Sequence, residues 1–349
     1  MTAMTAAAAR AAHLLVDDEP RIFGDSLAAT VLGDQAEPLI DYHRQHGRHE
    51  VLAGARVMAT TRSRYTEDRL AAAIARGVTQ YVLLGAGLDT FAWRSPLAAQ
   101  VRVIEVDQPG TQRWKRDRLA AAGLRARGEV EFAAVDLADG SLNTALTRAG
   151  LDPSRPALVS WLGVIMYLDR DAVAGTLAAL SRCAPGTELV AEYLVPDDLQ
   201  DDQGRTYTRL VAPAAAERGE PWRTFLRPED MSALLAEHGF TPLADVSQRE
   251  VAGRELWDRT DGLRPSSLSR LVHAGRVACG TLGRLPPPPP NPLTPPGCGW
   301  RRSSPGTPTR WPWCWPTRRC TRSPAAPRSV PRPCASATSG WPRARPTPK

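Results

Sequence analysis

Three short stretches of this sequence carry residues whose types and spacing suit a nucleoside ligand. Leu84-Gly85-Ala86-Gly87-Leu88-Asp89-Thr90 follows an apolar run, and glycines without side chains let the backbone approach a ligand closely. Asp107 comes 20 residues after Gly87, the separation expected for a carboxylate that accepts from ribose hydroxyls. Asp136 closes a later apolar run, placed to accept from an adenine amino group with Leu137 against the ring. A lone Gly-x-Gly is equally consistent with a plain turn. Either aspartate, taken singly, could do no more than cap the following helix. The three elements in order, each at the end of an apolar run, point to one adenosine site.

The loop also discriminates between nucleoside ligands. A dinucleotide fingerprint wants a third glycine three residues after the second, where a helix N-terminus meets a pyrophosphate. Position 90 is threonine, and Asp89 would set a negative charge beside that phosphate. S-adenosylmethionine has no phosphate. It carries a sulfonium, an ammonium and a carboxylate, beside which an acid is useful. The chemistry favours methyl transfer over hydride transfer, and no Tyr-x-x-x-Lys pair supports an oxidoreductase. Methyl transfer from a sulfonium is an in-line displacement that needs positioning and desolvation more than covalent help. A carboxylate acceptor needs no base, whereas a hydroxyl needs one within hydrogen-bond reach. No residue declares itself as that base. His43, His46 and His49 recur every three residues, as metal ligands on a helix can. No acid or cysteine accompanies them, so the expectation is a solvated helix face and no metal.

These residues need a scaffold that brings strand ends together. Tyr81–Leu84, Val101–Val106, Val130–Val135, Ala157–Trp161 and Glu188–Tyr193 read as strands, separated by amphipathic helices. Pro109 is suited to open one helix and Gly123 to close it. A further helix runs from about Asp171 to Arg182. Such alternation predicts a mostly parallel sheet covered on both faces, with ligands beyond the carboxyl ends of the strands. Residues 1–19 are expected to be a flexible N-terminus and 20–76 a helical cap, broken at Gly33 and Gly47, with a helix from Glu67 to Arg76. Residues 77–275 are the expected core. Within them 197–224, polar and broken by Pro213 and Pro221, read as an insertion over the sheet edge. A helix from Pro228 to His238 and the apolar Leu243–Val246 would complete the core.

The net charge of +7 over 349 residues hides two unlike segments. Residues 281–349 hold 12 of the 44 basic residues, no Asp or Glu, and 19 of the 32 prolines. The remainder carries a net charge of −5, with no electrostatic footprint for nucleic acid. Only Leu282, Leu285, Leu293 and Val330 could form a core in the last 69 residues. That cannot offset the entropy of ordering them, so a disordered tail is expected, and out-of-frame translation of a GC-rich gene would explain its composition. Cys183 and Cys279 are the cysteines outside it, which is no disulfide framework. With no leader pattern and no apolar run of membrane length, the expected compartment is the cytoplasm, without membrane or nucleic-acid partners.

Several longer stretches resemble one known family. They are Thr61-Arg62-Ser63-Arg64-Tyr65-Thr66-Glu67-Asp68, Gln80 to Arg94 around the glycine loop, and Glu105-Val106-Asp107-Gln108-Pro109. Ser160-Trp161-Leu162-Gly163-Val164-Ile165-Met166-Tyr167-Leu168 and Glu220-Pro221-Trp222-Arg223-Thr224-Phe225 complete the set. Together they resemble the leucine carboxyl methyltransferase family, and within it the bacterial branch of S-adenosylmethionine-dependent methyltransferases, over roughly residues 20–275. The resemblance implies a Rossmann-like class I methyltransferase sheet of the α/β class with an N-terminal helical cap, and S-adenosyl-L-methionine as cofactor.

It also implies site roles. Asp107 would bind the ribose, Asp136 and Leu137 the adenine, and Gly85, Ala86, Gly87 and Asp89 would pass beneath the cofactor. Arg62 is the first candidate to clamp the methionine carboxylate bidentately, with Arg64 its competitor; a solvated helix charge is the alternative for both. Tyr167 and Trp222 are candidates for an acceptor pocket, with plain core packing the alternative. The eukaryotic enzymes carry an acid in the strand-four motif where this chain has Trp161 and Leu162, so their protein-terminus substrate is not carried over. The expected reaction is O-methylation of a small carboxylate or hydroxyl. The alternatives are a nucleotide-dependent oxidoreductase and a non-catalytic nucleotide-binding protein.

Overall fold

The computed structural model describes residues 2–277, and the expected disordered tail at 281–349 lies outside them. The first element is a helix, α1 (Thr2–Val16), followed by α2 (Ala28–Leu32), α3 (Ala36–His46) and the long α4 (Glu50–Ala75). The core then alternates β1 (Gln80–Leu84), the short α5 (Phe91–Arg94), β2 (Arg102–Asp107), α6 (Pro109–Ala121), β3 (Val130–Ala134), α7 (Leu142–Arg148), β4 (Leu158–Trp161), α8 (Arg170–Leu180) and β5 (Glu188–Leu194). It closes with α9 (Asp202–Glu217), α10 (Pro228–Glu237), β6 (Phe240–Ser247) and β7 (Ser269–Arg276).

The strands form one sheet in the order β3-β2-β1-β4-β5-β7-β6. The first five run parallel, and β7 pairs antiparallel with both β5 and β6. Every residue of β1 is buried, as a strand covered on both faces requires. Its alternate side chains serve two cores. Tyr81 and Leu83 pack with Leu70 of α4, Val31 of α2 and Leu119 of α6. Val82 and Leu84 join Leu146 of α7, Leu177 of α8 and Leu235 of α10 on the other face. Because β1 lies between β2 and β4, the chain leaves β1 and β4 in opposite directions, opening a crevice at their carboxyl ends.

Three expectations about the cap change. Residues 1–19 are not a flexible lead-in: α1 occupies most of them, with Ala7, Ala8, Ala9, Ala11 and Ala12 buried. Alanine is the strongest helix former and its small side chain lets helices approach closely, so α1 packs without the large apolar stripe that a pattern search seeks. The helix expected to start at Glu67 is the second half of α4, which runs unbroken from Glu50. His43 is not solvated. It is buried in α3, where Nδ1 lies 3.1 Å from Arg56 Nη1. His46 and His49 are exposed, and His49 caps α4. Pro213 sits inside α9 and does not break it.

Candidate functional site

A cavity of about 750 Å³ opens where the strands β1 to β4 end. Its floor is the glycine loop. Gly85 and Gly87 adopt positive φ of 66° and 49°, a region L side chains rarely enter. A methyl at Gly85 would lie 2.3 Å from Val164 Cγ2, so the loop and the β4 segment touch there. Asp89 Oδ1 accepts from Phe91 N at 2.7 Å, a local turn that leads into the short helix α5. The acid in the loop is thus fixed by its own backbone.

Asp107 ends β2 and faces the cavity, half-buried. One carboxylate oxygen accepts from Gly87 N, the other from Gln108 N at 2.7 Å. Burial pushes its carboxyl above the ordinary value, against the pull of those two N–H groups. Asp136 stands at the next strand end, exposed. It accepts from Ala138 N at 3.0 Å and from Gln108 Nε2 at 3.4 Å, with buried Leu137 beside it on the cavity wall. The three predicted elements therefore line one cavity.

Arg62 reaches the cavity from the middle of α4. Its Nη1 donates at 2.8 Å to Glu192 Oε2 on β5, a carboxylate whose side chain is 1% exposed. A methyl on Gly163 would meet the Arg62 guanidinium at 2.5 Å, so a glycine at φ 68° makes room for it. Arg64 is elsewhere. It donates to Ile22 O at 3.2 Å, pairs with Asp68 at 4.0 Å, and does not line the cavity. Residues two apart on a helix point to different faces, so only one of the two arginines could serve.

Much of the remaining lining of the cavity is apolar. Met58, Met166, Tyr167, Tyr207, Val211 and Trp222 line it on the side away from Asp136. Tyr207 and Trp222 lie with ring planes 11° apart and centroids 6.5 Å apart, and Phe225 meets Trp222 edge-on. Gly54 of α4 accommodates Tyr207, whose Cδ2 would lie 3.0 Å from a methyl there. Burial raises the Tyr167 phenol above its ordinary value. Exposed Arg218 and Arg223 and half-buried Glu220 stand on the lining beside this chamber, Glu220 accepting from Thr2 N at 3.3 Å. Among the described residues that line the cavity there is no His, Lys or Cys, and no cluster suited to a metal ion occurs among the described residues.

Several of these residues escaped the sequence reading. Glu192 had a signal, since an acid in the otherwise apolar Leu189-Val190-Ala191-Glu192-Tyr193-Leu194 must be paired or functional. Tyr207 had none, lying in a polar stretch. The residues of α1, including Thr2, Ala3, Ala6 and Arg10, line the cavity too, in a segment expected to be flexible.

With this geometry in place, residues 3–181 match the leucine carboxyl methyltransferase family. A provisionally named S-adenosyl-L-methionine-dependent methyltransferase of Mycolicibacterium smegmatis is 31% identical over 276 residues, which cover 69% of this chain and 86% of that one. A similarly named Bacillus subtilis protein is 30% identical, covering 61% of this chain and 70% of its own. The chain belongs to the leucine carboxyl methyltransferase family. It is accordingly an S-adenosyl-L-methionine-dependent methyltransferase. Another family relative, from Mycolicibacterium paratuberculosis, is 34% identical, and the match covers 52% of this chain but only 60% of that protein's length. The solved structure of a DUF574 family protein from Streptomyces avermitilis has a TM-score of 0.51 at 18% identity, covering 73% of this chain and 100% of that one. That likeness concerns the fold. The donor set of this cavity is chemically compatible with that cofactor: two glycines with no Cβ to obstruct it, a carboxylate at each of two strand ends, and an arginine on the lining. No helix of the described residues is long and apolar enough to cross a membrane.

Proposed function

We propose that this chain methylates an oxygen of a small-molecule acceptor, a carboxylate or a hydroxyl, held in the aromatic chamber beside the glycine loop. The observation that carries this reading is the division of one cavity into two chemically unlike ends. One end presents Gly85, Ala86, Gly87, Asp89, Asp107, Asp136 and Leu137; the other presents Met58, Met166, Tyr167, Tyr207 and Trp222. In this reading residues 77–275 are the methyltransferase core and the helices before it are its cap.

Each residue has a role its chemistry allows. Asp107 accepts from the ribose hydroxyls, and Asp136 from the adenine amino group, with Leu137 against the ring. Arg62, steered by Glu192, presents its remaining N–H groups to the methionine carboxylate. S-adenosylmethionine, when bound, supplies an electrophilic methyl group. The chamber's apolar walls exclude water from the acceptor oxygen, and Tyr167 and Trp222 orient the acceptor's body. A carboxylate acceptor is already a nucleophile and needs no base. A hydroxyl acceptor would need one, and Glu220 on the lining is the candidate.

The test uses matched pairs, such as 1-naphthoate against 1-naphthalenemethanol, with release of S-adenosylhomocysteine as the readout. Turnover of acids above alcohols supports a carboxylate acceptor. Turnover of the corresponding amine with neither oxygen compound accepted would sink the O-methylation reading. Trp222→Ala is expected to lower kcat/KM at least tenfold while leaving S-adenosylhomocysteine affinity within threefold.

A further inference from the structure

Two buried residues far apart in sequence converge on the loop that this site reading gives to the cofactor. Arg10 of α1 is 6% exposed and Asp25, between α1 and α2, is 2% exposed. Arg10 Nε donates to Asp25 Oδ2 at 2.8 Å, and its Nη2 donates to the Leu88 carbonyl at 2.7 Å. Asp25 Oδ1 accepts from the Thr90 hydroxyl at 2.6 Å and from Leu27 N at 3.2 Å, with Arg94 Nε at 3.6 Å. Burial alone would push the Asp25 carboxyl up, but Arg10, Thr90 and Arg94 hold it below the ordinary value. The carboxylate therefore stays charged and keeps both of its grips at neutral pH.

An ion pair serving only to dock α1 would need no contact with the loop. Here the pair spends its spare donor on Leu88 O and its spare acceptor on Thr90, the residues on either side of Asp89. The same helix also rests on the loop at its other end, where a methyl on Gly87 would lie 3.2 Å from Ala3 Cβ. Thr90 thus gains a purpose. It stands where a dinucleotide loop would carry glycine, and its side chain pins the loop instead. A glycine-rich segment loses more conformational entropy on ordering than any other, and ordering it in advance removes that cost from ligand binding.

We propose that Arg10, acting through Asp25, is a positioning residue that holds Leu88–Thr90 in the shape needed to receive the cofactor. It makes cofactor affinity depend on the seating of the N-terminal helix. The proposal rests on the assignment of the cofactor to this cavity.

The test measures S-adenosylhomocysteine Kd by calorimetry alongside Tm, on the full chain. Arg10→Met should weaken binding at least tenfold, with Arg10→Lys intermediate, because one ammonium cannot bridge both partners as the guanidinium does. Thr90→Val, which removes only the hydroxyl, should weaken it threefold or more. The double variant should be no more than twofold worse than Arg10→Met, since both act through one carboxylate. His13→Ala is the control. His13 also anchors α1, through Asp17 at 2.8 Å and Ile22 N at 2.9 Å, and these side-chain hydrogen bonds do not involve the loop. It should lower Tm and leave Kd within threefold.

A folded Arg10→Met with Kd within threefold of the parent overturns the proposal, as does a His13→Ala defect equal to that of Arg10→Met. If Arg10→Met does not fold, an unchanged Kd in Thr90→Val overturns it. A folded parent that fails to bind S-adenosylhomocysteine would instead remove the cofactor assignment beneath it.

Discussion

Asp107→Ala separates the two jobs that the Asp107 carboxylate can do. Without ligand, its oxygens accept from Gly87 N and Gln108 N and so shape the loop. With ligand, they accept from ribose hydroxyls. A hydrogen bond to a charged group is worth about 1.5–3 kcal/mol, and two are at stake. Half-burial and the competing backbone donors bring the net below the simple total. A loss of about 3 kcal/mol is expected, or about 100-fold in Kd at about 1.4 kcal/mol per tenfold. Stability should fall by only about 1 kcal/mol, the net worth of a typical hydrogen bond, because the freed N–H groups face an open cavity. Calorimetry with S-adenosylhomocysteine reads the first number and thermal melting the second. The carboxyl's raised pKa adds a pH signature. The ribose needs the ionised form, so affinity should be level near neutrality and fall on acidification earlier than for an ordinary aspartate. Asp107→Asn should lose that dependence. An Asp107→Ala protein with a lowered Tm and Kd within threefold would show a loop-shaping role alone, and would refute the ribose assignment.

Three further outcomes are expected. Gly85→Ala must hold a side chain at φ 66° and displace Val164, so Tm falls by an amount equivalent to about 2–4 kcal/mol; Val164→Ala should restore part of it in a melting experiment, and no restoration would discount the clash. Arg62→Met leaves Glu192 buried without its partner at a cost of about 3–5 kcal/mol. Adding Glu192→Gln should recover stability but not S-adenosylhomocysteine affinity, and recovery of both would reduce Arg62 to a structural role. Burial, aided by Arg56 and opposed by Asp17, holds the His43 imidazole down at about 4, from 6.5. The unfolded chain therefore binds the extra proton first, and stability is lost as pH falls from about 6.5 to about 4, by up to about 3 kcal/mol. Denaturant titrations of His43→Gln across that range should show a shallower slope; an unchanged slope would place the titration elsewhere.

The parts of the fold that could be read from sequence are those that one physical rule dictates. Buried parallel strands demand continuous apolar runs, so β1, β2, β4 and β5 announce themselves, and Asp107 stands out because β2 ends there. β7 does not, because Ser269-Arg270-Leu271-Val272-His273-Ala274-Gly275-Arg276 mixes polar residues whose partners lie far away in sequence. His273 pairs with Glu188 and Arg270 with Asp245. The N-terminal helix was missed for a related reason. Its alanines carry no periodic stripe, and the residues that seat it, Arg10 and His13, look like surface charges until Asp25 and Asp17 are brought beside them. Arg62 and Arg64 were equivalent as letters. Only the orientation of α4 and the position of Glu192 separate them. The glycine-loop end of the cavity consists of short local motifs that the sequence displays, whereas the aromatic end is assembled from α4, α9 and the segments at 165–167 and 219–223, with only Tyr167 and Trp222 as hints.

A co-crystal structure with S-adenosylhomocysteine tests the central assignment most directly. The account predicts density across the glycine loop, with ribose hydroxyls on Asp107, adenine between Asp136 and Leu137, and the carboxylate on Arg62. A ligand bound at neutral pH with its ribose away from Asp107, or outside this cavity, would contradict it.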